Sequence, residues 1–103
     1  MNTVLAEPPK IDYTFNDPFI ATELLHSTFS DIRGCCARIW FKENEKKNPD
    51  QSVIDEYDLI SEQAGKDNIP GSYDNLQIMK DMIEKYIPIL KAALKFEHEH
   101  YPY

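Results

Sequence analysis

The longest helical pattern in the chain spans residues 72–100, which read SYDNLQIMKDMIEKYIPILKAALKFEHEH. Large apolar residues and alanines recur in it every three or four positions, which is the spacing of an α-helix. Its polar residues form one narrow stripe: Gln77, Asp81, Glu84, Lys91 and Lys95. Because a helix with a narrow polar stripe is covered on more than one side, the pattern predicts that this helix is the central one.

A first helix is predicted over residues 17–47. Asp17 is suited to accept hydrogen bonds from the free backbone N–H groups at a helix start, and Pro18 suits the first helical position. The pattern ends before Pro49, since proline cannot continue a helix.

A second, shorter helix is predicted over residues 50–64, because Gly65 is a typical C-terminal stop. Ser72 is predicted to cap the third helix, which extends over residues 72–99. We expect that helix to kink at Pro88, where a backbone hydrogen bond is lost and the proline ring crowds the preceding turn.

These elements predict an all-α fold, an antiparallel three-helix bundle. The bundle forms a single domain over residues 17–103, preceded by an extended N-terminal arm over residues 1–16. Ile11, Tyr13 and Phe15 alternate with polar residues in that arm, which is the period of an extended chain. The arm either lies along the helices or adds to the sheet edge of a partner.

Small residues lie near the middle of the first helix, in the run Gly-Cys-Cys-Ala at residues 34–37. Counting along two parallel helices, from Asp17 in the first and Ser72 in the third, puts Gly34 level with Pro88. We therefore predict that these small side chains make room for a bent third helix.

Negative charge dominates the chain, which has 103 residues and a net charge of -7. This opposes direct binding to nucleic acid or to an anionic membrane through a basic surface. The two cysteines are adjacent, Cys35 and Cys36, and cannot form a disulfide framework; we expect them to be buried. With no secretory pattern at the start and no long apolar run, we expect a cytoplasmic protein.

The second helix carries most of the negative charge, since residues 49–67 hold six acids and one base. An acidic strip of this kind docks basic surfaces, and exposed aromatic residues strengthen such interfaces. The predicted partner-binding residues are Asp55, Glu56, Asp58, Glu62, Trp40 and Tyr101. The alternative is that the acids only solvate a helix face and that the aromatic residues pack against the end of the bundle.

Patterns typical of catalysis are missing from the sequence. There is no phosphate-binding loop, dinucleotide fingerprint or zinc-ligand spacing. We predict no catalytic residue, no metal and no cofactor. An enzyme would need a cleft holding two of Glu23, His26, Glu84 and His98.

The sequence therefore favours a non-catalytic, acidic protein-binding module. It is most plausible as an inhibitor or regulator of a basic protein, such as a nuclease, another nucleic-acid-binding protein or a toxin. At the level of class, a small acidic helical protein resembles immunity, antitoxin and phage counter-defence proteins. The alternative is a structural or assembly protein that works as a homo-oligomeric bundle. A homodimer is plausible because the short second helix leaves parts of the other two uncovered.

Overall fold

The computed structural model describes residues 16–102, in which all regular structure is helical. The helices in this range are α1 (Pro18–Asn44), α2 (Gln51–Asp67), a short 3-10 helix (Pro70–Tyr73) and α3 (Leu76–His100). The all-α prediction is confirmed. The predicted N-terminal arm lies outside the described residues except for Asn16. None of the helices in this range has the length and the apolar content needed to cross a membrane.

Helix α1 begins as predicted and ends earlier than predicted. The Asp17 carboxylate accepts a hydrogen bond of 2.9 Å from the backbone N–H of Phe19, and Pro18 is the first helical residue. The helix ends at Asn44 instead of residue 47. There the chain turns back, and the backbone N–H of Asp50 donates to the Glu43 carboxylate at 2.8 Å. The helix therefore ends in a turn held by the Glu43 side chain, several residues before Pro49.

The predicted end of α2 at Gly65 is wrong. Asp50 caps the helix by accepting from the backbone N–H of Ser52 at 3.0 Å, and the helix continues through Gly65 to Asp67. No glycine among the described residues has a positive φ. Gly65 therefore keeps a right-handed helical backbone and does not form the left-handed turn typical of a helix stop.

The predicted start of α3 is also wrong. Ser72 lies in the 3-10 helix, where its hydroxyl donates to the backbone carbonyl of Asp67 at 2.5 Å. Asn75 is the true cap, since its side chain accepts from the backbone N–H of Ile78 at 2.9 Å. From Leu76, α3 runs to His100 without a break at Pro88.

The central helix is α1, so the prediction that α3 is central is wrong. Helix α1 packs along both α2 and α3. Its buried residues are Ala21, Leu25, Thr28, Phe29, Ile32, Cys35, Cys36, Ile39 and Glu43. The burial of both cysteines was predicted and is confirmed. In α3, by contrast, Met82 and Ile89 are only partly buried and Leu94 is exposed.

Side chains of α3 contact both α1 and α2. The Thr22 hydroxyl lies 3.4 Å from the Met79 sulfur, and the Phe29 and Tyr86 ring centroids are 5.1 Å apart. Further along, the Tyr57 and Phe96 ring centroids are 5.2 Å apart.

The prediction that residues 34–37 lie level with Pro88 is wrong. Cys35 donates a hydrogen bond to Glu97 at 3.5 Å, more than two turns beyond Pro88. A Cβ atom added to Gly34 would meet only the Arg38 guanidinium, at 3.4 Å. Pro88 itself is exposed. The small residues therefore do not accommodate the proline.

Candidate functional site

The outer side of α2 carries an acidic face, which we define as Asp55, Asp58, Leu59 and Glu62. All four side chains are exposed, with Leu59 at 56%. Their positions, at i, i+3, i+4 and i+7, fall on one side of a helix. The predicted residue Glu56 is exposed as well, but it lies outside this spacing.

An aromatic pair adjoins the acidic face. The rings of Trp40 and Phe41 meet edge to face at 5.3 Å between centroids, and their exposed fractions are 41% and 63%. Both line a cleft of about 280 Å³ between α1 and α2, together with Arg33, Cys36, Ala37, Asp58 and Ser61. Asp58 and Ser61 also line the hollow over the acidic face. The structure thus brings predicted site residues from two helices together.

Burial and the neighbouring carboxylate make Cys36 an unreactive member of this cleft. Desolvation, followed by the charge of Asp58, raises the pKa of the Cys36 thiol to about 11. A thiol with such a pKa is protonated at neutral pH and is a weak nucleophile. The Cys36 thiol is therefore poorly suited to act as a nucleophile in this cleft.

Tyr101, the remaining predicted site residue, lies on another surface. It lines a separate cleft of about 550 Å³ with Arg38, Lys42, Leu94 and residues 97, 98 and 102. Its hydroxyl donates a short hydrogen bond to the Glu43 carboxylate. The structure therefore does not bring Tyr101 together with Trp40 and the acidic face.

Glu43 is a buried carboxylate that the sequence prediction missed. It is 1% exposed and accepts hydrogen bonds from the Tyr101 hydroxyl and the Asp50 backbone N–H, with the Lys46 ammonium at 3.0 Å. The Tyr101 bond, then the Asp50 bond, then Lys46, lower the pKa of Glu43 to about 2. This carboxylate ties the turn between α1 and α2 to the end of α3.

A signal for Glu43 is present in the sequence. The buried line of α1 runs through Leu25, Phe29, Ile32, Cys36 and Ile39, in steps of four, three, four and three. The next step of four lands on residue 43. Trp40 and Phe41, which follow Ile39 directly in the sequence, are both exposed.

Two acids counted in the charge of the second helix have structural roles. Asp50 caps α2. Asp67 accepts a hydrogen bond of 2.5 Å from the Tyr86 hydroxyl and lies 3.0 Å from the Lys85 ammonium. These two contacts, that of Tyr86 first, lower the pKa of Asp67. The outward charge of α2 is therefore concentrated in the acidic face.

Residues considered for catalysis lie in different places. Glu23 lines an apolar cleft near the start of α1, whereas His98 lines the cleft at the end of α3. Across residues 16–102, no group of three histidine, cysteine, aspartate or glutamate side chains is placed to hold a metal ion.

Comparisons with known proteins add no family. No protein-family model matches the chain, and no significant match was found among curated proteins or among solved structures. The function must therefore be argued from the surface itself.

Proposed function

We propose that this chain is a non-catalytic protein-binding module that inhibits or regulates a basic protein. The acidic face supplies charge for recognition and for the rate of encounter. Trp40 and Phe41 supply apolar contact beside it. Carboxylates around exposed aromatic groups suit a lysine- or arginine-bearing surface, because charge steers the encounter and buried aromatic contact holds the complex.

One observation carries this proposal: Trp40 and Asp58 line the same cleft. An acidic strip by itself is a common solvated helix face. An exposed tryptophan–phenylalanine pair is less common on a small protein, since large apolar side chains are usually covered. Their meeting in one surface favours protein binding over simple solubility.

We also infer that the helices form an up-down-up bundle in a single domain over residues 17–103. The same-direction pairing of α1 and α3 is supported by the contacts of Thr22 with Met79 and of Phe29 with Tyr86. The opposite direction of α2 is supported by the Asp50–Glu43 hydrogen bond at one end and by a cleft that Phe29 and Ala64 both line at the other.

A second candidate function is a homo-oligomeric structural protein. Phe19 and Ile20 are exposed at the start of α1 and line an apolar cleft with Leu24. An apolar surface of this kind favours self-association that added salt does not weaken. Sedimentation at low and high salt separates this candidate from the first, whose partner binding weakens with salt.

The test of the first proposal is affinity capture from an extract of the native host, followed by titration of the purified captured protein. A chain with Asp58→Lys and Glu62→Lys should lose most of the binding. A chain with Asp31→Lys and Glu99→Lys, two exposed acids outside the acidic face, is the matched control and should retain it. Equal loss in both chains, or binding insensitive to salt, would refute the proposal.

A further inference from the structure

The outer side of α3 carries a basic face, which we define as Lys91, Leu94, Lys95 and His98. All four are exposed, with Leu94 at 43%. Leu94 and His98 also line the cleft that contains Lys42 and the Arg38–Glu97 ion pair. Leu94 is exposed between the lysines of the basic face, just as Leu59 is exposed between the carboxylates of the acidic face.

The two faces have the same spacing, since each occupies positions i, i+3, i+4 and i+7 of its helix. Setting the two helices side by side in opposite directions gives three acid–base pairs and one apolar pair: Asp55 with His98, Asp58 with Lys95, Leu59 with Leu94, and Glu62 with Lys91. If the two helices ran in the same direction, Asp58 would face Leu94 and Leu59 would face Lys95 at the central positions. Only the antiparallel alignment is complementary at all four positions.

We propose that two copies of this chain associate by placing the acidic face of one copy antiparallel against the basic face of the other. Asp55 accepts a hydrogen bond of 2.9 Å from the Gln51 side chain, whereas Glu62, Lys91 and Lys95 take part in no ion pair among residues 16–102. The charges and the two leucines are therefore available to a second copy.

The expected association is weak and reversible. Each face is about 10 Å long, as seven residues advance about 1.5 Å each. Two such faces bury less than the area of about 1,000 Å² that stable complexes exceed. The contact therefore forms at high protein concentration and low salt, and a basic partner competes with it for the acidic face.

This inference goes beyond the proposed function and does not depend on it. Reversing the charge of the basic face should weaken self-association and leave the acidic face free to capture a basic partner. Failure of one proposal is therefore distinguishable from failure of the other.

The test uses sedimentation equilibrium of the full chain at low salt. The acid-reversed variant carries Asp58→Lys and Glu62→Lys, and the base-reversed variant carries Lys91→Glu and Lys95→Glu. Each should weaken self-association by about tenfold or more, since each converts two attractions into repulsions. A mixture of the two variants should associate, because each retains one native face.

A chain with all four substitutions is the decisive control. Its faces are complementary again, with the charges exchanged, so it should recover self-association; recovery also shows that the substituted helices fold. The acid-reversed variant has a less negative net charge than the native -7. If overall repulsion governed association, that variant would associate more strongly, which is the opposite of the prediction.

Three results would overturn the proposal. In the first, the native chain sediments as a monomer at every concentration. In the second, both reversed variants associate as the native chain does. In the third, the native chain stays monomeric while the basic face binds a single-stranded oligonucleotide, a binding that Lys91→Glu with Lys95→Glu abolishes. That result would assign the face to phosphate groups and not to a second copy.

Discussion

Helices α1 and α3 have nearly the same length, but they differ in how many long helices they pack against. Helix α1 contains serines, charged residues and a glycine, yet it packs against both other long helices. Helix α3 is richer in large apolar residues, yet Met82, Ile89 and Leu94 are partly or largely exposed. A wide apolar stripe in the sequence therefore shows that a helix is rich in apolar residues. It does not show how many other helices pack against it.

Side-chain size accounts for the difference. Ala21, Thr28 and Cys35 are buried on α1, and small side chains allow two helices to approach one axis closely. Because such residues are small or weakly apolar, they add little to the apolar periodicity by which a central helix is recognised in the sequence. The large side chains of α3 lie mainly against α1, although Tyr86 also contacts Asp67 and Phe96 also contacts Tyr57 on α2. Met82, Ile89 and Leu94 remain at the margin of the core.

The largest expected effect comes from truncating a buried apolar side chain of α1, compared with an exposed one of α3. Ile32→Ala in α1 removes a fully buried side chain and should cost about 3 kcal/mol of unfolding free energy. Leu94→Ala in α3 should cost less than about 1 kcal/mol, because the side chain is already exposed. Urea unfolding of both variants measures this difference. Equal costs would restore α3 as the central helix.

A smaller effect tests close packing by the same substitution at two alanines. Ala21→Leu places a large side chain where α1 has no free surface and should cost about 2 kcal/mol through overpacking. Ala92→Leu lies on the exposed side of α3 and should change stability by less than about 0.5 kcal/mol. Thermal unfolding measures both. A harmless Ala21→Leu would mean that α1 is not packed tightly on two sides.

The sequence predicted the elements well and their arrangement less well. The start of α1 follows from Asp17 and Pro18, because capping is a local interaction between residues two or three apart. The end of α2 and the start of α3 were misplaced: the helix continues through Gly65, and Ser72 makes a contact that only the folded chain makes, the bond to the Asp67 carbonyl.

The candidate site shows the same division. The acidic face was predictable, since helical spacing alone puts Asp55, Asp58 and Glu62 on one side. The closeness of the acidic face to Trp40 was not predictable, because it depends on how α1 packs against α2. The contact between Tyr101 and Glu43 joins residues 58 positions apart, and no local pattern reports such a distance.

The next prediction compares a carboxylate on each helix. Glu43 of α1 is buried with three partners, whereas Glu97 of α3 pairs mainly with the half-exposed Arg38 at 2.6 Å. Folding lowers the pKa of Glu43 from 4.5 to about 2. Its stabilising contribution is therefore complete above pH 4.5 and is lost as the pH falls from 4.5 towards 2.

Glu43→Gln should flatten the loss of stability over that pH range more than Glu97→Gln does, and it should lower the urea midpoint more at neutral pH. Tyr101→Phe, which removes the largest cause of the low Glu43 pKa, should flatten part of the same curve. Urea unfolding measured from pH 6 down to 2.5 tests all three. A larger effect of Glu97→Gln would make the α3 carboxylate the more important one.

The smallest effect concerns the glycine inside α1. Gly34→Ala should stabilise the protein by about 0.5 to 1 kcal/mol, since alanine is the better helix former and the new methyl group meets only the end of the flexible Arg38 side chain. Gly65→Ala in α2, where an added Cβ meets nothing within 4 Å, is the matched control and should give a similar gain. If Gly34→Ala destabilised the protein while Gly65→Ala stabilised it, α1 would need its glycine for close contact with α3. The contrast between the two helices would then extend to the backbone, with α1 packed more tightly at Gly34 than its open surroundings indicate.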